Sequence, residues 1–362
     1  MYSVEYLDAL KTLCVFIEDE VCKEKFTGLS LQGNVNLLIK LCSSHIVVRL
    51  PIEITQLSRI TRIQQEGGKL TIKISLVSKT SDGVGAITES FMKFTTDTEN
   101  QKWSCKDLKN KTPKRDGANI FKINCSRCTD VIIDSEKVTK FYDLPSEFWS
   151  EMMDFWHCHK PNTKENDRIK NYYNGNLKAK EGEIIIGSYY FLTSDISKFT
   201  LEGNLVKCLK CDTQLGVKEG TNCRLFKWGL VLHYGLRKEF FSPYLYIYNM
   251  LLDKINLSAT RKFVIKKIHG NSSLYLWVLN IGVDVATEDR ILKDSLKILY
   301  LPYPVRSDND DKIEDIELEG YIFEDLKNEL EKVNYLLPVS NRNVVFPNNE
   351  KKFCISYLAG SN

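Results

Sequence analysis

The chain has almost no excess of charge. Its 50 basic and 47 acidic side chains leave +3 over 362 residues, too little for a protein whose affinity comes mainly from neutralising phosphates, so nucleic acid is not the expected partner. It also lacks a long apolar run. The longest, Leu274 to Val283, is interrupted by Asn280 and falls short of the ~20 residues a membrane-crossing helix needs. Glu5 and Asp8 stand near the start, where a signal peptide would carry bases. A soluble protein of the nucleus and cytoplasm, with no membrane partner, is expected. Three signatures are missing as well: Gly-x-x-x-x-Gly-Lys-Ser/Thr, Gly-x-Gly-x-x-Gly and Gly-x-Ser-x-Gly. Their absence removes the common phosphate cradles and the serine-nucleophile elbow. Histidine is scarce; His45, His233 and His269 are isolated and are read as packing or surface residues.

Apolar residues make up 43% of the chain and aromatics 11%, enough to build cores for two or three domains of roughly 100–200 residues each. From Val35 to Phe94 the pattern is that of β-structure: 35–39, 46–50, 70–74 and Phe91–Phe94 are strand-like, with turn chemistry at Gly67-Gly68 and Ser81-Asp82-Gly83. Residues 105–118 are basic, polar and without periodicity, which marks a loop or boundary. Further on, 184–193 reads as a strand, 243–255 as a helix, 263–268 and 274–280 as strands paired around Gly270-Asn271, 296–303 as a strand and 319–333 as a helix. The expected fold is β-rich α+β. An N-terminal antiparallel-sheet domain (1–115), a middle region (116–225) and a mixed C-terminal domain (226–362) follow from the composition shifts.

Cysteine, by contrast, is abundant. Eleven is an odd number, and Cys14, Cys22, Cys42, Cys105, Cys223 and Cys354 are scattered, so a reducing compartment fits better than a disulfide framework. Four others form two turns, Cys125-Ser-Arg-Cys128 and Cys208-Leu-Lys-Cys211. Each turn lets two thiolates face one point, and two turns supply the four soft ligands of a closed structural Zn²⁺ site. The 79 residues between the turns must then be closed by the fold. A thioredoxin-like role is disfavoured, because neither motif opens a helix after a buried parallel strand.

The eleventh thiol is Cys158, in the run Trp156-His157-Cys158-His159. Glu147, Glu151, Asp154 and Cys158 recur at helical spacing, opposite Phe148, Trp149, Met152 and Phe155. A helix continued that far would project Cys158 from its wet face. Four readings remain open from the residues: an extra ligand of the chain's own metal, a reactive nucleophile, a soft ligand offered to another protein's metal, or a surface cysteine in a turn before Pro161.

The order of motifs, Cys-x-x-Cys, Leu144-Pro145-Ser146-Glu147-x-Trp149, Trp156-His157-Cys158-His159, Ile186-Gly-Ser-Tyr-Tyr-Phe-Leu, the second Cys-x-x-Cys, Leu274-Tyr-Leu-Trp-Val-Leu-Asn and Lys297-Ile-Leu-Tyr-Leu-Pro, resembles the HECT-like family that binds ubiquitin-conjugating enzymes. The fungal members of that family are linked to mRNA cleavage and polyadenylation. The resemblance implies two functions. One is a binding, stabilising and inhibitory factor for the zinc-dependent, metallo-β-lactamase-fold endonuclease of pre-mRNA 3′-end processing, with Cys158 entering the partner's metal site beside Trp156, His157 and His159. The other is a ubiquitin-protein ligase accepting ubiquitin on a C-terminal cysteine. The HECT pattern Leu-Pro-x-Ala-x-Thr-Cys is not matched by Leu337-Pro338-Val339-Ser340-Asn341-Arg342, so Cys354 is the one thiol left to serve as the nucleophile. The binding role is favoured.

Overall fold

The computed structural model describes residues 1–56, 59–76, 101–144, 178–302, 313–347 and 349–361. The expected strand at 91–94 lies outside them, as does the whole of 145–177 with Trp156, His157, Cys158 and His159. The chain forms two compact units: Met1–Ser90 with Ala259–Asn362, and Phe91–Ser258.

The first unit opens with β1 (Tyr2–Leu7), β2 (Thr12–Glu18), β3 (Phe26–Gln32), β4 (Asn36–Leu41), β5 (His45–Arg49), β6 (Arg59–Glu66) and β7 (Lys69–Ser75). Strict alternation makes β7 a strand: Leu70, Ile72 and Ile74 are buried while Lys69 and Lys73 face water. Each such apolar side chain contributes about 1.5–3 kcal/mol by leaving water. They pack with Val4, Leu13, Val15 and Ile17 of β1 and β2 and with Leu37, Ile39 and Val48 of the small β3-β4-β5 sheet.

The second unit holds α1 (Cys105–Lys111), β8 (Lys114–Arg115), β9 (Ala118–Asn119), β10 (Lys122–Cys125), β11 (Val131–Asp134), β12 (Lys140–Asp143), β13 (Glu183–Ile186), β14 (Tyr190–Thr193), β15 (Phe199–Glu202), β16 (Leu205–Cys208), β17 (Gln214–Glu219), β18 (Asn222–Phe226), β19 (Leu230–Tyr234), β20 (Arg237–Phe240) and α2 (Tyr244–Ser258). Among the described residues they make a sheet in the order β11-β10-β19-β20 and another in the order β12-β13-β14-β18-β17-β16-β15, besides the β8-β9 hairpin. The stretch expected as a loop at 105–118 is therefore a short helix and that hairpin. Ser104 caps the helix by accepting from Asp107 N, while Asp107 accepts from Trp103 N, a Ser-x-x-Asp start signal that lack of periodicity concealed. The expected single strand at 184–193 is the pair β13 and β14, which run antiparallel. Gly216 lies where β17 meets β18 so closely that a Cβ would stand 1.8 Å from Arg224 O.

The chain then returns to the first unit with β21 (Lys262–Lys267), β22 (Ser273–Thr287), β23 (Ile291–Leu301), β24 (Ile313–Leu318), α3 (Gly320–Tyr335), β25 (Asn343–Phe346) and β26 (Asn349–Ser361). The long strand β22 pairs antiparallel with β21 through Ser273–Trp277 and with β1 through Val283–Thr287. The main sheet thus runs β25-β26-β23-β22-β1-β2-β7-β6, with β21 and β24 attached beside β22. The β-rich, antiparallel architecture and the paired strands around Gly270-Asn271 are as expected. The boundaries expected at 115 and 225 do not coincide with this division, because strands from both ends of the chain share one sheet. α3 buries Ile322, Phe323, Leu326, Leu330 and Val333, one face of a 3.6-residue period. Inside this unit Lys297 Nζ donates to both carboxylate oxygens of buried Glu5 (2.9 and 3.0 Å), and Tyr357 OH donates to the same carboxylate.

Candidate functional site

The two Cys-x-x-Cys turns are built alike. β10 ends at Cys125, and beyond the turn Thr129 N donates to Cys125 O (3.0 Å) while Cys125 N donates to Asp130 O (2.9 Å). β16 ends at Cys208, with Asp212 N donating to Cys208 O and Cys208 N to Thr213 O, both 2.9 Å. In both, the residue after the second cysteine adopts positive φ, +59° for Thr129 and +55° for Asp212. That conformation is uncommon outside glycine and strained for a β-branched residue. The register slips just before each first cysteine, at Ile123/Asn124 and Val206/Lys207. One turn comes from each sheet of the second unit, and the fold closes the 79-residue gap by bringing them face to face.

The four sulfurs meet. Cys125 Sγ lies 3.7 Å from Cys211 Sγ, and Cys128 Sγ lies 3.6 Å from Cys208 Sγ; the whole set lies within 4.8 Å of one another. A tetrahedron with metal–sulfur bonds of about 2.3 Å has edges of about 3.8 Å, whereas a disulfide would need about 2.05 Å. All four are free thiols placed as a metal cage. Cys125 and Cys208 are wholly buried. Burial pushes the Cys125 thiol up to about 12 and raises that of Cys208. Cys211 is brought down to about 6, first by its hydrogen bond with the Thr213 hydroxyl (3.2 Å). To act as ligands those two buried sulfurs would have to be thiolates stabilised by the bound cation, and a four-sulfur donor set suits a soft or borderline metal rather than magnesium or calcium.

Cys354 sits in β26 between Tyr300 of β23 and Asn343 of β25. Burial raises its pKa and outweighs the opposing pull of a Tyr300 hydrogen bond and of Lys352, while Glu331 adds a little to the rise. No histidine occurs in β23, β25 or β26. A thiolate nucleophile is stabilised by a nearby cation, a general base or a helix N-terminus; the shift at Cys354 runs the other way.

Trp156, His157, Cys158 and His159 lie outside the described residues; the strands on either side of them in the sequence are described. β12 and β13 pair in parallel, and a parallel pair requires a crossover connection. Residues 144–182 are that connection. Its first residue is anchored, Leu144 N donating to Ile186 O (2.8 Å), and Asp143 accepts from Cys105 N (2.8 Å).

Sequence reasoning missed Lys227. It is fully buried, its Nζ donates to Lys102 O (2.9 Å) and Ser188 O (3.2 Å), and it lies 5.4 Å from the Phe191 ring centre and 5.6 Å from that of Phe241. Burial drives its pKa down to about 7, against the opposing pull of Asp143 and Asp107. Its one local signal was a lysine between two aromatics, Phe226 and Trp228.

A family profile described as HECT-like ubiquitin-conjugating enzyme (E2)-binding matches residues 5–345. An uncharacterized protein of Saccharomyces cerevisiae is 28% identical over 357 residues, covering 95% of this chain and 96% of that protein. An uncharacterized protein of Schizosaccharomyces pombe is 24% identical over 263 residues, 66% of this chain and 73% of its own length. An E3 ubiquitin-protein ligase of Mus musculus is 27% identical over 165 residues, 43% of this chain and 42% of the ligase. No solved structure matches.

Proposed function

Because this chain belongs to the HECT-like family of proteins that bind ubiquitin-conjugating enzymes, we propose that it is a non-catalytic binding factor of that system, with a zinc-stapled unit that offers Cys158 to a second partner. The observation that carries the reading is the division of labour among the thiols. Cys125, Cys128, Cys208 and Cys211 complete a tetrahedral set on their own, so Cys158 is not needed as a ligand at home. Cys354 has the raised pKa of a half-buried strand residue, which favours binding over thioester transfer.

The second partner we assign is the metallo-β-lactamase-fold endonuclease of pre-mRNA 3′-end cleavage and polyadenylation, acting in nucleus and cytoplasm. Its two active-site metals must leave a position open for the hydrolytic water, and a thiolate fills such a position readily. Cys158, with Trp156, His157 and His159 as its neighbours in the sequence, has that chemistry. Occupation would stabilise the endonuclease while holding it inactive. The test is co-purification and nuclease assay with Cys158→Ser: binding and inhibition should fall together, and a variant that inhibits as well as the parent refutes insertion.

The ligase alternative draws on the mouse relative, which is named an E3 ubiquitin-protein ligase. Charging the chain from a ubiquitin-loaded conjugating enzyme decides it. A thioester lost in Cys354→Ser would establish transfer; no thioester in the parent supports the binding role.

A further inference from the structure

The near-neutral total charge conceals a local imbalance. Residues 102–127 hold eight basic side chains and two acidic ones. Two of the eight, Lys102 and Lys111, are spent inward on Glu239. The others are joined by cations from far along the chain. Across the β10-β19-β20 sheet Lys122, His233 and Lys238 stand directly opposite one another, so their side chains share one face. Phe240, two residues beyond Lys238, falls on that face and is 61% exposed.

The hairpins gather further cations at the same end. Tyr234 pairs with Arg237 where β19 turns into β20, and Lys122 at the start of β10 adjoins that turn. The β8-β9 hairpin, which carries Lys114 and Arg115, closes through Ile120 N donating to Pro113 O (2.8 Å), two residues before Lys122. Asn119 Nδ2 donates to Lys109 O (3.1 Å) and so ties α1 to the hairpin. Ion pairs in this region include Lys122 with Asp134 (3.5 Å), Arg115 with Glu136 (4.0 Å) and, within α1, Lys111 with Asp107 (2.6 Å). Lys109, Lys114, Arg237 and Lys238 face water without a carboxylate partner among the described residues.

We infer that this end of the second unit is a binding surface for single-stranded nucleic acid, with Lys109, Lys114, Arg237 and Lys238 tracking phosphates and Phe240 stacking on a base. Unpaired cations spread over a surface supply sequence-independent attraction to a backbone. An exposed ring among them distinguishes a single strand, whose bases are free to stack, from an acidic peptide, which has no use for the ring face.

The test is fluorescence anisotropy of a fluorescein-labelled oligouridine of about 20 nucleotides, long enough to span a single-strand site, with the full-length, metal-loaded chain. Four phosphate contacts at about 0.7 released ions each predict an affinity loss of about 50-fold between 50 and 200 mM salt. The variant Lys109→Gln/Lys114→Gln/Arg237→Gln/Lys238→Gln should lose at least about tenfold at 50 mM salt and flatten the salt slope, with circular dichroism and metal content unchanged. Phe240→Ala should weaken binding about fivefold or more at an unaltered slope. It serves as the independent check should the quadruple variant fold poorly. The inference is overturned if the parent does not bind at low salt, if the glutamine variant binds as well, or if polyglutamate displaces the oligomer as effectively as unlabelled oligouridine. That last result would assign the surface to an acidic protein.

Discussion

Replacing Lys227 with methionine tests whether a buried cation is being held against its preference. In the unfolded chain the ammonium has its ordinary pKa of 10.5; in the fold, burial lowers it to about 7. A depressed lysine pKa means that between those values the unfolded chain binds the proton and the folded chain does not, so stability must rise with pH through that window. Integrated from pH 7 to pH 10, the difference in bound protons amounts to between two and three pH units, or about 3–4 kcal/mol at about 1.36 kcal/mol per unit. Lys227→Met keeps the length of the side chain and removes the titration. It also leaves Lys102 O and Ser188 O without their donor, a cost of about 1–3 kcal/mol that is independent of pH. Urea denaturation of both proteins at pH 7, 8, 9 and 10 gives the stability difference at each pH, and the metal and other cysteines cancel in the subtraction. The parent should gain on the variant by about 3–4 kcal/mol as pH rises. A difference that stays constant, or a variant that gains on the parent, would show that Lys227 keeps its ordinary pKa or a raised one in the fold, as a solvated or ion-paired ammonium would, and the burial argument would fail.

Three other outcomes follow from the same geometry. One zinc per chain should be found on metal analysis and be lost in Cys128→Ser; because structural zinc contributes apparent free energies of about 10–16 kcal/mol in small zinc peptides, chelation should unfold the second unit, seen as a new low-temperature transition in calorimetry. Gly216→Ala should abolish soluble expression or cost more than about 3 kcal/mol in urea titration, since its methyl would enter the backbone of β18 at Arg224 O. Glu5→Gln should cost about 3–5 kcal/mol, because Lys297 keeps a charge in a buried site with its partner removed; a change within about 0.5 kcal/mol, the size of an ordinary surface substitution, would mean that water reaches the pair.

Legibility in the sequence followed the range of the interaction. Strands β4 and β7, helices α2 and α3 and the β21-β22 hairpin were visible because alternation, helical periodicity and Gly-Asn turn chemistry are local. The exposed strand β6, whose Ile60 and Ile63 remain 40% and 42% exposed, has no buried face to print a pattern. β1 pairing with β22 left no local trace either, which is why three consecutive domains were expected where the chain forms one unit from its two ends. The grouping of Cys125, Cys128, Cys208 and Cys211 was legible from spacing alone, since two residues between thiols suffice to aim both at one point. Thr213, which acidifies Cys211, and Lys227, which joins segments more than a hundred residues apart, became visible only with the fold.

The topology also separates the roles proposed for the thiols. Residues 144–182, with Cys158 near their middle, connect two parallel strands of the sheet that also contains β16 and its metal-cage turn. Breaking the cage therefore disturbs the sheet from which the Cys158 segment departs, whereas changing Cys158 leaves the sheet as it is. Cys128→Ser should weaken binding to a ubiquitin-conjugating enzyme and to the endonuclease together, in proportion to the unfolded fraction seen by circular dichroism. Cys158→Ser should spare the fold, the zinc and the conjugating enzyme and lose only its hold on the endonuclease. Measured side by side by pull-down and nuclease assay, the two substitutions must differ in this way if Cys158 acts outside its own molecule. Loss of zinc in Cys158→Ser would place that sulfur in the home site and end the proposal.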